Sequence, residues 1–245
     1  MTVPGTFDTS ARELIHAGLQ NLDEARSLFR QLSASGFDAA RCGLLLDALQ
    51  HVCDPDVALR NLVDIVNAQV SQGRALDDIM PDDTAFRQLV AVLGVSDAMG
   101  KLMRFRPDLV QAAATDHCNS HLYNHDQRRA HVLESVGADP NDRMSPTATM
   151  DLADAATALR RTYRNQLAAI IAQDTMSDDP IALQPRISSE LSDLADAALE
   201  GALAIARHEI TGSEHCRFAI IGMGKLGARE LNYVSDVDLI YVVKA

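Results

Sequence analysis

From about residue 9 to residue 211, apolar residues recur at three- and four-residue intervals, the spacing that gathers one face of an α-helix. Asn21 precedes a segment presenting Leu22, Ala25, Leu28, Phe29 and Leu32, which Gly36 ends. Asp38 opens the next, with Leu44, Leu45, Leu46, Leu49 and Val52, and Cys53-Asp54-Pro55 breaks the pattern before Val57, Leu59, Leu62, Val63, Ile65 and Val66. Short polar side chains suit these positions because they accept the amide hydrogens that a first helical turn leaves unpaired. A further helix is predicted from Asp83 through Phe86, Leu89, Val90 and Val92 to Gly94, then a short one capped by Ser96 and ending near Phe105. Pro107 fits the first turn of the helix after that, since proline has no amide hydrogen to lose there.

The period lapses at 137–150, GADPNDRMSPTATM, where turn-forming residues predict a linker or long loop. Two long helices follow. Residues 151–173 carry Leu152, Ala156, Leu159, Tyr163, Leu167 and Ile170 on one stripe, and residues 188–210 carry Leu191, Leu194, Ala198, Ala202 and Ile205. The intervening DTMSDDPIALQPR holds two prolines and is predicted to be a loop. At residue 212 the pattern changes from period 3.6 to short apolar runs: Gly212-Ser213 stops the helix, and Phe218–Ile221 and Leu239–Val243 have strand-like bounds. The predicted class is therefore mainly α with a C-terminal α/β element. Its organisation is a helical region over 1–211, with 137–150 as linker, and a strand, glycine turn, short helix and Asp-x-Asp strand over 212–245.

Composition narrows the classes of function. The 245 residues, 47% of them hydrophobic, are enough for a sizeable core. No run approaches the ~20 apolar residues of a membrane helix, and MTVPGTFDTS lacks the basic-then-apolar order of a secretory signal, so a cytoplasmic location is expected. Four scattered cysteines, Cys42, Cys53, Cys118 and Cys216, with no C-x-x-C pair, read as reduced thiols. Net charge is −12; residues 217–245 hold four basic residues against three acidic, leaving −13 on residues 1–216. An acidic body argues against nucleic-acid binding, which needs basic surface for phosphates. One of only three lysines, Lys225, lies inside the glycine motif.

That motif, RFAIIGMGKLGARELNYVSDVDLIYVVKA from Arg217 onward, admits two chemistries. Gly222, Gly224 and Gly227 match G-x-G-x-x-G after a strand, as in a dinucleotide-binding turn. That fold places its acidic residue about 20 positions on, at the far end of the second strand. Asp236 and Asp238 instead come 14 and 16 positions after Gly222 and precede or open that strand. A P-loop is excluded by the absence of G-x-x-x-x-G-K-[ST]. Aspartates at i and i+2 of a strand share a face, and two such carboxylates call for a hard divalent cation, Mg²⁺ or Mn²⁺. With turn amides and Lys225 on the phosphate side, the two elements compose a nucleotidyl-transfer site. Candidate metal ligands and catalytic residues are Asp236 and Asp238; Gly222, Gly224, Lys225 and Ser235 are candidates for the nucleotide phosphates, with Ser235 equally able to cap its own loop. Gly227 is assigned mainly to packing and Glu230 to an ion pair with an arginine.

A glycine turn followed by an acidic-x-acidic strand resembles the DNA polymerase β-like nucleotidyltransferase superfamily. The longer string GMGKLGARELNYVSDVDL is similar to the signature of the bacterial glutamine synthetase adenylyltransferase family, and LGVSDAMGKLMRFRPDLV and ISSELSDLADAALEGALAIA resemble that family's helical part. Ala228 departs from the pattern where many members have a second glycine. The resemblance implies a bifunctional enzyme that adds AMP to, and removes it from, a tyrosine of glutamine synthetase. The form of the motif is most similar to the N-terminal, adenylyl-removing domain, which would use phosphate to release ADP, with ATP or ADP as nucleotide and Mg²⁺ or Mn²⁺ as metal. It further implies glutamine synthetase as partner, with a PII-type signalling protein as another candidate, and neither nucleic acid nor membrane. On this resemblance the chain is expected to stop within that domain, before a third carboxylate, and to be inactive and poorly folded after residue 212 in isolation. The rival expectation is a regulatory module that keeps the nucleotide-binding fold without catalysis; an oxidoreductase ranks behind both.

Two clusters stand apart. His117, Cys118, His121 and His125 can be drawn as a zinc site, but structural zinc takes ligands from two separated knuckles, and a solvated helix end is the better expectation. Arg160, Arg161 and Arg164 form a basic patch that reads as a solvated face, with a phosphate or an acidic partner as the alternative.

Overall fold

The computed structural model describes residues 9–114 and 123–244. The chain divides into two compact units, residues 1–119 with 171–176 and residues 120–170 with 177–245.

The first unit is helical: α1 (Ala11–His16), α2 (Leu22–Ala34), α3 (Ala39–Leu49), α4 (Pro55–Ser71), α5 (Leu76–Ile79), α6 (Asp83–Val95), α7 (Asp97–Met103) and α8 (Pro107–Ala114). Asn21, Asp38, Asp54 and Ser96 each accept an amide hydrogen from the residue three positions on. This is the capping the sequence calls for; in α6 the cap is Asp82 and Asp83 is the first helical residue. Phe29, Leu32, Leu45, Leu62, Ile65, Leu89 and Leu93 are fully buried and make the core.

The second unit holds α9 (His125–Ser135), α10 (Leu152–Thr175) as far as Ile170, α11 (Pro180–Glu209), β1 (Arg217–Met223), α12 (Gly224–Ala228) and β2 (Asp238–Lys244). α11 begins eight residues earlier than the proline-containing segment suggests. Asp179 caps it and Pro180 takes the first position, so the only ladder bond forfeited is the one Pro185 would donate in the second turn. Its buried line runs through Ile187, Leu191, Leu194, Ala197, Gly201, Ala204 and Ile205, whereas Ala202 is exposed. A side chain at Gly201 would meet Val132 Cγ1 at 2.8 Å and Leu159 Cδ1 at 3.0 Å, so that glycine lets α9 and α10 approach closely. Apolar periodicity cannot reveal a contact made by a missing side chain.

The 137–150 segment is a loop tied down along its length. Arg129, nearly buried, donates from Nε and Nη2 to both oxygens of Glu200 at 2.7 Å, and from Nη1 and Nη2 to the carbonyls of Pro140 and Asp142 at 2.6 and 3.0 Å. Ala148 N–H donates to the Ala204 carbonyl at 3.0 Å, and Ala138 and Ala148 are buried with Leu133, Val136 and Ile205. The two strands pair antiparallel, in register from Arg217↔Lys244 to Met223↔Asp238. β2 therefore begins at Asp238: β1 ends at Met223, where the chain turns into α12, and Asp236 lies beyond any ladder partner. Among the described residues no helix is long and apolar enough to cross a membrane. Cys42, Cys53 and Cys216 are free.

Candidate functional site

The glycine turn is shaped by side chains that are not there. β1 runs extended to Met223, and Gly224 then takes φ +53°, a left-handed conformation that costs any residue with a Cβ about 1–2 kcal/mol. A Cβ on Gly222 would sit 2.9 Å from Leu226 Cγ, and one on Gly227 would sit 2.5 Å from the Gly222 carbonyl oxygen. Bare backbone at both positions lets α12 lie on the end of β1. Leu226 and Leu231 are then buried with Ile170, Ile187, Leu191 and Leu194, which docks the turn on α10 and α11.

Asp238 reaches this turn from the other side. It pairs with Met223 across the ladder, and its Oδ2 lies 3.0 Å from the position a Gly224 Cβ would take. The fold thus brings Gly224 and the Asp238 carboxylate into contact. Asp236 is exposed in the loop two residues ahead of β2, and Lys225 is exposed on α12. With five residues and no side-chain cap, α12 has little macrodipole, so turn amides and Lys225 are what it can offer an anion. Two exposed carboxylates with oxygen-only donors match the preference of Mg²⁺ or Mn²⁺.

Ser235 serves the loop. Its hydroxyl donates to Asn232 Oδ1 at 2.8 Å and accepts from Asn232 N–H at 3.2 Å, while its own N–H donates to the Asn232 carbonyl at 3.2 Å. In this arrangement the hydroxyl hydrogen is engaged, and the bracket stiffens the approach to Asp236.

Sequence reasoning missed Arg229 and its anchor. Arg229 closes α12 at φ +60°, donating its N–H to Leu226 O at 3.0 Å while Glu230 N–H donates to Lys225 O at 2.8 Å. This is a Schellman closure with arginine where glycine is usual. Its guanidinium donates to Ser189 Oγ and pairs with Asp193 Oδ1, each at 2.7 Å. Asp193, almost buried on α11, is also 2.9 Å from His125 Nδ1. Nothing local signals a pairing across 36 residues, although a non-glycine ending a glycine-rich helix is a hint. Glu230, expected to find an arginine, has its side chain exposed, and the neighbouring Arg229 pairs with Asp193 instead.

His117, Cys118 and His121 lie outside the described residues. His125 offers a ligand atom within 4.8 Å of Asp193 and Asp196, but the Arg229 guanidinium already occupies the charge of Asp193. Burial, with Asp193 alongside, pushes the Asp196 carboxyl above the usual carboxylate value, against the pull of His125 and Arg229. Arg160 and Arg161 are exposed and Arg164 is half-buried. A groove of about 570 Å³ is lined by Phe218, Ile220, Gly222, Arg143, Arg207 and other residues. It lies on the face of β1 opposite Met223, and hence opposite Asp238, and neither Asp236, Asp238 nor Lys225 lines it.

The matches to known proteins fall on one class, enzymes that transfer adenylyl groups. A family model described as "Glutamate-ammonia ligase adenylyltransferase" matches residues 86–245, and the chain belongs to that family. It is 68% identical over 238 residues to the "Bifunctional glutamine synthetase adenylyltransferase/adenylyl-removing enzyme" of Bifidobacterium longum (strain DJO10A), covering 97% of this chain and 22% of that protein. It is 32% identical over 233 residues to the protein of the same description from Cutibacterium acnes, and 36% identical over 240 residues to that of Leifsonia xyli subsp. xyli. Those two alignments cover 95% and 94% of this chain against 23% and 22% of the relatives. The chain thus spans about a fifth of the length of the curated relatives it matches.

Proposed function

We propose that this chain carries the opening elements of a nucleotidyl-transfer site that removes AMP from a tyrosine of adenylylated glutamine synthetase by phosphorolysis, within a polymerase β-like domain. The observation that carries the reading is the contact between the glycine turn and the Asp238 carboxylate, which puts backbone that could face a phosphate beside a carboxylate that could hold a metal. The printed description of the relatives supports the substrate, and the form of the motif supports the adenylyl-removing rather than the adenylyl-adding site. Asp236 and Asp238 would hold Mg²⁺ or Mn²⁺, which when bound would offset negative charge on the oxygens around the phosphorus undergoing displacement. Gly222, Gly224 and Lys225 would orient the phosphates, while Ser235 braces the loop that presents Asp236 and swings to a phosphate only by releasing Asn232. In the reaction, a phosphate oxygen attacks the AMP phosphorus, the bond from phosphorus to the tyrosine oxygen breaks, ADP forms, and the tyrosine oxygen takes up a proton. A PII-type signalling protein is the candidate partner that would set the direction of the cycle.

The test uses the product of the full reading frame containing this chain, incubated with adenylylated glutamine synthetase, phosphate and Mg²⁺. ADP release should depend on phosphate and fall by about 10³-fold in Asp236→Asn, given the size of effect when charge stabilisation is removed from a transition state. Release unaffected by the substitution would move the activity elsewhere in the protein and leave this site as a non-catalytic, nucleotide-binding regulatory element.

A further inference from the structure

α12 cannot hold its own position. Five residues fall far short of the length at which a helix is stable alone, and its first turn has no side-chain cap. Leu226 supplies one buried contact, but a leucine among leucines fixes depth better than direction. At its far end the chain adopts a conformation that disfavours arginine: among the described residues Arg229 is the one non-glycine with positive φ. Such strain persists where the surroundings over-determine it. Here the surroundings are a polar ledge on α11. Ser189 and Asp193, one turn apart, receive the guanidinium, and Ser192, fully buried, accepts the Leu231 N–H at 3.4 Å while donating to the Ser188 carbonyl at 2.8 Å. His125 Nδ1 meets the same oxygen of Asp193, Oδ1, at 2.9 Å. Glycine would close α12 without strain, so the arginine side chain contributes something that glycine cannot.

We infer that Arg229 and Asp193 are positioning residues whose ion pair fixes the glycine turn, Gly222 to Lys225, against Asp238. A charged contact that one guanidinium nitrogen, Nη2, makes to two partners one turn apart sets direction as well as distance, which apolar packing alone does not. The consequence for catalysis rests on the nucleotidyl-transfer reading above; the tether itself does not.

The experiment compares Arg229→Gly, Arg229→Lys and Asp193→Asn with the unsubstituted full-reading-frame protein, measuring thermal midpoint, amide hydrogen exchange and steady-state ADP release, with Asp236→Asn as control. Arg229→Gly removes strain together with the tether, so the midpoint should hold or rise while amides Leu226 to Leu231 exchange at least about tenfold faster and those of the C-terminal half of α11 do not. kcat should fall at least about tenfold with little change in KM, as expected for misplacement of groups that still bind. Arg229→Lys should recover part of both, because an ammonium keeps the charge beside Asp193 but on a shorter stem and without the planar guanidinium's fixed donor directions. The Arg229→Gly/Asp193→Asn double variant should be no worse than the more impaired single, the sign of one shared interaction. Unchanged exchange over Leu226 to Leu231 in Arg229→Gly overturns the tether, and faster exchange with unsubstituted kcat overturns the positioning role. Faster exchange in a protein whose ADP release is absent, or is indifferent to Asp236→Asn, upholds the tether and sinks the nucleotidyl-transfer reading alone.

Discussion

At Gly224 two demands fall on one residue: a left-handed backbone and room for the Asp238 carboxylate. Alanine there should cost about 1 kcal/mol from the backbone alone. Its methyl group would also meet Asp238 Oδ2 at 3.0 Å, so the carboxylate must shift by a few tenths of an ångström. If the turn serves the proposed phosphorolysis, Gly224→Ala in the full-reading-frame protein should lose ADP release by about tenfold or more, out of proportion to a small fall in thermal midpoint. ADP release that falls only in step with the folded fraction would show that Asp238 tolerates the displacement. Asp196 makes a prediction of a different kind. Burial raises its carboxyl above the usual 3.8, so the folded protein holds that proton more tightly than the unfolded chain does. The associated stability is intact below the unfolded value and is lost as pH rises through the folded one. Asparagine imitates the protonated form, so Asp196→Asn should raise the thermal midpoint at pH 7, with a gain that shrinks as pH approaches 3.8. A gain that persists undiminished at low pH would come from the amide's own contacts rather than the removed charge.

Among the elements, α2, α3, α4 and α7 were legible because their signals are local: Asn21, Asp38, Asp54 and Ser96 sit where each helix starts and accept the amides that a start exposes, whereas the single turn α5 is too short to show a period. The glycine turn and both strands were legible for the same reason. What stayed hidden depends on distant partners. Pro180 and Pro185 suggest a loop until Asp179 is seen to cap the segment and Ile187 to bury in the core behind it. Gly201 was invisible as a packing residue, and Arg229 gave no sign that its partner lies on α11. The 137–150 segment is the clearest case, since its composition is that of a free linker and its tether is Arg129 on α9. Arg129→Met leaves half-buried Glu200 and two carbonyls without their donors, and should destabilise the protein by about 2–3 kcal/mol, less than loss of one partner of a fully buried pair. Arg26→Met, whose partner Asp23 is fully exposed, should change stability by no more than about 0.5 kcal/mol. Urea midpoints for the two variants would check the contrast, and equal effects would show that the Arg129 network does not hold the loop.

Across the whole chain, the site elements belong to one of the two compact units and the helices α1 to α8 to the other, each with its own buried apolar core. A ligand stabilises only the cooperative unit that binds it, by RT ln(1 + [L]/Kd), which is about 2.7 kcal/mol at one hundred times Kd. If the glycine turn, Asp236 and Asp238 take a metal–nucleotide complex, Mg²⁺ with ADP should slow hydrogen exchange by up to about 100-fold in amides of β1, α12 and the Ser188–Asp193 face of α11. Amides of α4 and α6, in the core of the other unit, should not respond. ADP without metal should protect less, because Asp236 and Asp238 then face phosphate oxygens of their own sign. Protection of α4 and α6 equal to that of β1 would mean the units open together, and the coupling would then belong to the protein's regulation. Absence of protection at β1 and α12 in the full-reading-frame protein would remove nucleotide binding from this site, catalytic or regulatory alike.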